Sequence, residues 1–421
     1  MKTSGFIAIA FLLLTGFTSL FKIPNSLLFL LLGVLTMALP FNFLTLRNNA
    51  KIQSSSKILN FLYFFAFSIF LVASLQAQQP PTVLPKTIIF LILFLTGITI
   101  LGYIWHSYKL HGGKIFKSNQ FLLTTTFVLL LFLITPIEIR IPDIFFRPIV
   151  KTPMYSPKKG PLILIDQAHQ NSHTLEMGLY TAKKLFEQDG YRVRALTDKI
   201  DSKSLESARI LVVVNAQSPS NGISSAFKDN EIRNVVSWVK EGGSLFLIAD
   251  HMPFPAAIQE LVTEFGFYFQ NGFAIDTLNH HPSFTKDLFT RDTHTVLSTP
   301  ITRGMRPDES VDSIMTFTGS AFSFAEEITP ILRFDEKWVS FNTSKAWNFE
   351  KVKPIPIEGY SQGAYRTFGD GRVVVFGEAM MFTTQLVFTL NWRKQGMNYQ
   401  DAPNNAQLLL NIIHWLDGKM D

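Results

Sequence analysis

Five stretches in the first third of the chain carry no charged side chain: Gly5–Phe21, Ser26–Leu46, Ile58–Ala77, Thr87–Trp105 and Phe121–Ile137. Each is close to the roughly 20 residues that a helix needs to cross ~30 Å of hydrocarbon. No other feature limits the possible folds so strongly. The expectation for residues 1–140 is a membrane domain of about five transmembrane helices, held in the lipid bilayer. The loops after the second and fourth runs hold Arg47, Lys51, Lys57 and Lys109, Lys114, Lys117, against single lysines after the first and third. Basic loops stay inside. The reading is therefore a multi-pass integral membrane protein with its soluble part outside the cytoplasm. The runs hold no ionisable side chain, as a proton or ion relay would require, so they read as an anchor rather than a transporter.

The charge changes at about residue 150. The first 150 residues carry eleven Lys and Arg against two acids, Glu138 and Asp143; the remainder carries 27 against 30. The overall charge of +6 thus comes from basic membrane loops, and no nucleic-acid partner is expected. The chain has no cysteine. That excludes disulfides, thiolate nucleophiles and Cys-ligated metal centres. Prolines 142, 148, 153 and 157 punctuate residues 141–160, which read as a Pro-rich linker.

Residues 161–421 change pattern again. Short apolar runs at 161–165, 191–196, 209–214, 244–249 and 372–376 read as strands buried on both faces. Amphipathic stretches at 174–188, 231–240, 254–265 and 404–416 read as helices. The alternation predicts an α/β domain with a doubly wound, mostly parallel, flavodoxin-like sheet, interrupted by a β-leaning insertion at about 267–366. In such a sheet ligands bind at the carboxyl ends of the strands. Polar residues gather there: Asp166, His169, Asn171 and His173 after the first strand, Asn215 and Gln217 after the third, Asp250 and His251 after the fourth, Glu378 after the last. Asp166, His169, His173, Asp250, His251 and Glu378 are ligand types for a divalent metal such as Zn²⁺, Mn²⁺ or Fe²⁺. Asp250, His251 and Glu378 could do acid–base work as catalytic groups. Asp166, His169, Asn171, His173, Asn215 and Gln217 could bind a ligand. His280, His281 and His294 could fold over the edge, and His414 reads as packing beside Trp415.

The order of Asp166, Asn215-Ala216-Gln217, Trp238 before Gly242-Gly243, the run SLFLIAD ending at Asp250, Pro300 to Gly304, Gly377-Glu378, and Asn411 to Leu416 resembles the class I glutamine-amidotransferase-like superfamily. Within it the chain is most similar to DUF4350-type and ThuA-like domains. It also resembles gliding-motility-type ABC-transporter auxiliary domains and intraflagellar-transport N-terminal domains. True amidotransferases place a cysteine on the turn after a central strand. Here that turn reads Ala249-Asp250-His251-Met252-Pro253, and no G-x-S-x-G elbow offers a serine instead. The resemblance therefore implies the amidotransferase-like fold without amidotransfer. The functional expectation is a membrane-anchored binding or scaffolding domain for an envelope carbohydrate, a peptide or a partner protein. The alternative is a metal-dependent or acid–base hydrolase at the same edge.

Overall fold

The computed structural model describes residues 139–219, 224–278, 287–388 and 392–420. These belong to the unit Ile137–Asp421. In chain order come β1 (Ile139–Pro142), β2 (Leu162–Asp166), α1 (Tyr180–Gln188), β3 (Arg192–Leu196), α2 (Ser202–Leu205), β4 (Ile210–Val214), α3 (Asp229–Lys240), β5 (Ser244–Ile248) and α4 (Phe254–Thr263). Short strands dominate the next hundred residues: β6 (Phe267–Phe269), β7 (Phe273–Asp276), β8 (Asp287–Thr290), β9 (Ser313–Thr316), β10 (Phe322–Phe324), β11 (Thr329–Arg333), β12 (Trp338–Phe341), β13 (Ile355–Pro356) and β14 (Ser361–Phe368). The helical turn α5 (Pro300–Arg303) lies among them. Last are β15 (Gly371–Phe376), β16 (Thr384–Phe388), β17 (Trp392–Gly396) and α6 (Asn405–Leu416).

The central sheet runs β3-β2-β4-β5-β15-β14-β10-β6, with β11 also paired to β14. From β3 to β15 the pairings are parallel. From β15 onward they are antiparallel. In β2, Ile163 and Ile165 face one core with α1 and α6, while Leu162 and Leu164 face a second core with α3 and α4. Alternate residues of a strand point to opposite faces. Helices cover both faces, so every residue of β2, β4 and β5 is buried, and their interiors read as apolar runs with Asp166 and Ser244 at strand ends. Each such Ile, Leu or Val contributes roughly 1.5–3 kcal/mol by leaving water.

Two expectations are corrected. The sheet is not mostly parallel and flavodoxin-like: the stretch read as a β-leaning insertion supplies its antiparallel half and two smaller sheets, β13-β12-β7 and β8-β9. β14 was not legible because SQGAYRTF is poor in strand-forming residues. Its position comes from close approach, since a Cβ on Gly363 would lie 2.5 Å from the Phe376 ring. The helical membrane bundle and the multi-pass membrane location expected from residues 1–140 are not carried forward. Among the described residues no helix is long and apolar enough to cross a membrane. The five apolar runs fall outside the described residues.

The proline-rich segment 141–160 is tied to the domain. β1 pairs with β16, and the Tyr155 hydroxyl donates to Asp417 at 2.5 Å. Phe146, Val150 and Met154 pack against the first core.

Candidate functional site

The carboxyl edge of the parallel strands holds two groups of polar side chains. The first lies where strand order reverses between β2 and β4. Asp166, fully buried at the end of β2, accepts from His169 Nδ1 at 2.9 Å and from Asn171 Nδ2 at 3.1 Å. Asn171 Nδ2 also donates to the Val214 carbonyl at the end of β4, closing the crevice between the two strands. His169 Nε2 lies 3.4 Å from Glu231 Oε1. Glu231 sits in the first turn of α3, where its other oxygen accepts from Lys228 N and Oε1 also accepts from Ile200 N. Phe227 covers the His169 ring, with centroids 4.2 Å apart. Burial opposes charge on His169, but the hydrogen bond and charge of Asp166, aided by Glu231, raise its pKa above the ordinary value. Burial likewise pushes Glu231 up, and its two backbone bonds and His169 outweigh that, so its pKa falls. The result is a buried imidazole held between two acidic side chains, with both ring nitrogens engaged.

The second group lies over β4, β5 and β15. Asn215 Oδ1 accepts from the Asp250 backbone N–H at 2.8 Å. That N–H can only donate, so the amide orientation is fixed and Asn215 Nδ2 faces His173 Nδ1 at 3.3 Å. Nδ1 must then accept, and Nε2 carries the proton. Ser172 Oγ lies 2.9 Å from the same Nδ1. Burial lowers the His173 pKa to about 4; Asp250 resists this and Arg140 adds to it. Asp250 Oδ1 accepts from His251 N at 2.8 Å. His251 Nδ1 donates to the Met252 carbonyl at 2.8 Å, which leaves Nε2 as an acceptor. The His251 ring stacks on Phe273 at 4.5 Å and meets the edge of Trp347 at 4.7 Å. Trp347 is itself 42% exposed.

Beneath this group lies Glu378, fully buried. Its oxygens accept from Met380 N at 2.6 Å and Met381 N at 2.8 Å, which caps the turn after β15. Burial first, then the charges of Asp250 and Asp287, push its pKa well up against those two bonds. The loop Thr318-Gly319-Ser320 passes over it. Gly319 has φ +112°, and a Cβ there would lie 2.5 Å from the Gly377 carbonyl, so only glycine allows the approach.

The expected residues therefore separate. Asp166, His169 and Asn171 form the closed group; His173, Asn215, Asp250 and His251 form the open one. Gln217 contributes a backbone bond to the His169 carbonyl. Among the described residues no three His, Asp or Glu side chains come together to hold a metal ion. The six proposed ligands thus do not make one coordination set. The helix expected from residue 174 begins at Tyr180, so His169 and His173 do not share a helical face. His294 is exposed on a turn, and His280 and His281 fall outside the described residues. His414 does more than pack: its Nε2 meets buried Asp189 at 2.6 Å. Sequence reading missed Glu231 and Trp347. The spacing Lys228-x-x-Glu231 at a helix start was the available signal for the first. Nothing local marks the second.

No family model matches the chain, and no curated protein matches it. Solved structures similar to it include the mmIFT52 N-terminal domain, at 16% identity and TM-score 0.43, over 61% of this chain and 96% of that one. A putative ThuA-like protein of Bacteroides uniformis ATCC 8492 gives 14% identity and TM-score 0.35, over 64% and 94%. A cytoplasmic protein of Salmonella typhimurium LT2 gives 12% and 0.38, over 61% and 99%. Two of the relatives suggested by the motifs, ThuA-like and intraflagellar-transport N-terminal domains, are thus among the similar structures. Likeness at this distance says nothing about activity.

Proposed function

We propose that this domain binds a hydroxyl-rich ligand of the carbohydrate class at the open group, without transforming it. The observation that carries the reading is the half-exposed Trp347 ring set against His251, next to Asp250. A sugar offers an apolar C–H face to an aromatic ring and a rim of hydroxyls that both donate and accept. The open group supplies that mixture: an Nε2–H donor on His173, an Nε2 acceptor on His251, and the Asp250 carboxylate.

The hydrolase alternative finds less support. His169 has no free ring nitrogen. His173, at about 4, is a weak base that would hardly activate Ser172. Glu378 has both oxygens committed to backbone N–H groups and no exposed surface.

The test is calorimetric titration of the full chain with cellotetraose, chitotetraose, maltotetraose and mannotetraose. At least one should saturate, and Trp347→Ala should weaken it about tenfold or more, the equivalent of ~1.4 kcal/mol. Trp347→Phe should retain part of the affinity. A wild-type chain that binds none of the four overturns the reading.

A further inference from the structure

Residues 342–354 join β12 to β13 and carry Trp347, the exposed ring of the open group. Both ends of this segment are held. Val339 and Ser340 of β12 pair with Pro356 and Ile355 of β13, so the chain leaves and rejoins the sheet at the same place. Asn342, at the first end, accepts from Ser340 Oγ and donates to Gln270 Oε1, each at 2.7 Å. Beyond Asn342 the segment bonds to itself. Thr343 Oγ1 and Asn348 N both donate to the Lys345 carbonyl, Glu350 N donates to Asn348 Oδ1, and Val352 N to the Phe349 carbonyl. Among the described residues no hydrogen bond or ion pair ties 343–354 to the rest of the domain. A loop with adjacent ends and its own internal bonds is a compact unit that can open without unfolding its scaffold.

What holds the segment down is apolar. Trp347 meets Phe273 and His251, each with ring centroids 4.7 Å apart. Phe349 meets Phe273 at 5.1 Å and Phe341 at 5.6 Å. Ala346, 9% exposed, packs with Phe273, Ile275 and Met252. Such contacts are non-directional, so they can part and be remade with no partner exchange. The backbone pulls the other way. Trp347 at φ +62° and Lys351 at φ +61° lie in the left-handed region, which a bulky side chain rarely adopts. Strain of this kind persists only where surrounding contacts impose it. Parting the segment from Phe273 relieves it and separates Trp347 from His251, the two rings that the open group presents together.

We infer that residues 342–354 are a lid, which opens by lifting Trp347, Ala346 and Phe349 off Phe273 and His251, and which the saccharide of the open group holds closed. The ligand half rests on the carbohydrate reading above; the motion rests on the segment's own contacts.

The chain has no cysteine, so one introduced thiol reports on one place. In full-length Ala346→Cys, the rate of reaction with dithionitrobenzoate reads the opening. It should exceed by about a hundredfold or more the rate in Ala182→Cys, where the thiol sits in the first core at a position 3% exposed and is reached only by global unfolding. Adding Trp347→Ala should speed the reaction at 346 about tenfold, and adding Lys351→Gly, which accepts the left-handed backbone, should slow it about threefold. A saturating tetrasaccharide should slow it about tenfold. If Ala346→Cys does not fold, Thr343→Cys, 7% exposed in the same segment, carries the thiol instead. A thiol at 346 that reacts as slowly as the one at 182 overturns the lid, because the segment then opens only with the whole fold. A rate indifferent to Trp347→Ala overturns it as well, because the ring then holds nothing down. A tetrasaccharide that saturates the protein and leaves the rate unchanged overturns closure on the ligand. Failure of the carbohydrate reading looks different: no tetrasaccharide saturates, while the rates measured without sugar still decide the lid.

Discussion

The groups around His169 and His173 follow the same strand, use the same residue types, and have opposite chemistry. His169 has an acid at each ring nitrogen and an aromatic ring over its face, so its pKa is raised and its polar atoms are closed off. His173 has an amide and a hydroxyl at Nδ1 and, among the described residues, no carboxylate bonded to either nitrogen, so burial lowers its pKa to about 4. A histidine at a strand end is therefore not a site by its position. The partners at its two nitrogens decide whether it holds the fold or meets a ligand. By this criterion the crevice at the reversal of strand order, where a ligand would be sought first, is filled by the protein's own Asn171.

The contrast breaks most readily at Asp166. Asp166→Ala removes the acceptor of His169, Asn171 and Ala168 from a fully buried position. A loss of about 3–5 kcal/mol in urea unfolding is expected, the usual cost of deleting one partner from a buried charge pair. A loss below about 1 kcal/mol would mean that the closed group is not structural. Glu231→Gln should cost less, about 1–3 kcal/mol, because the bonds from Lys228 N and Ile200 N can survive in part. Its second signature is a lower His169 pKa in an NMR titration.

Acidity should separate the groups by sign. The His169 value is raised, so its contribution is full below the ordinary 6.5 and is lost as pH rises through the folded value. The Glu231 value is lowered, so its contribution is full above 4.5 and is lost as pH falls. The closed group is thus strongest between those two ordinary values. His173 works the other way: depressed to about 4, it costs stability as pH falls from 6.5. His169→Gln should flatten the melting-temperature profile above pH ~6.5, and His173→Asn should flatten it between about 6.5 and 4. Identical profiles for the two variants would erase the distinction.

The smallest stability effect belongs to Asp250→Ala. Its side chain accepts from His251 N and its charge crowds Glu378, so a cost of at most about 1 kcal/mol is expected, with saccharide affinity lost. A strongly destabilised variant that still binds normally sinks Asp250 as a ligand contact.

Residue order alone determined the parallel half of the sheet. A strand buried on both faces is apolar along its interior, and LILID, ILVVV and SLFLI state this locally, with polar residues only at strand ends. It also determined which residues gather at the carboxyl edge, because parallel strands end on the same side. The absence of cysteine by itself removed thiolate chemistry. The antiparallel half was decided only in three dimensions. β14 has no strand-like composition and pairs because Gly363 lets it lie against Phe376. The division of the edge into closed and open groups was decided there as well. Glu231 lies 62 residues from His169 in sequence and Trp347 nearly a hundred from His251, yet these contacts set each ring's state. Residue type fixes what a side chain can donate or accept; burial and the partner that folding brings decide which of these it uses.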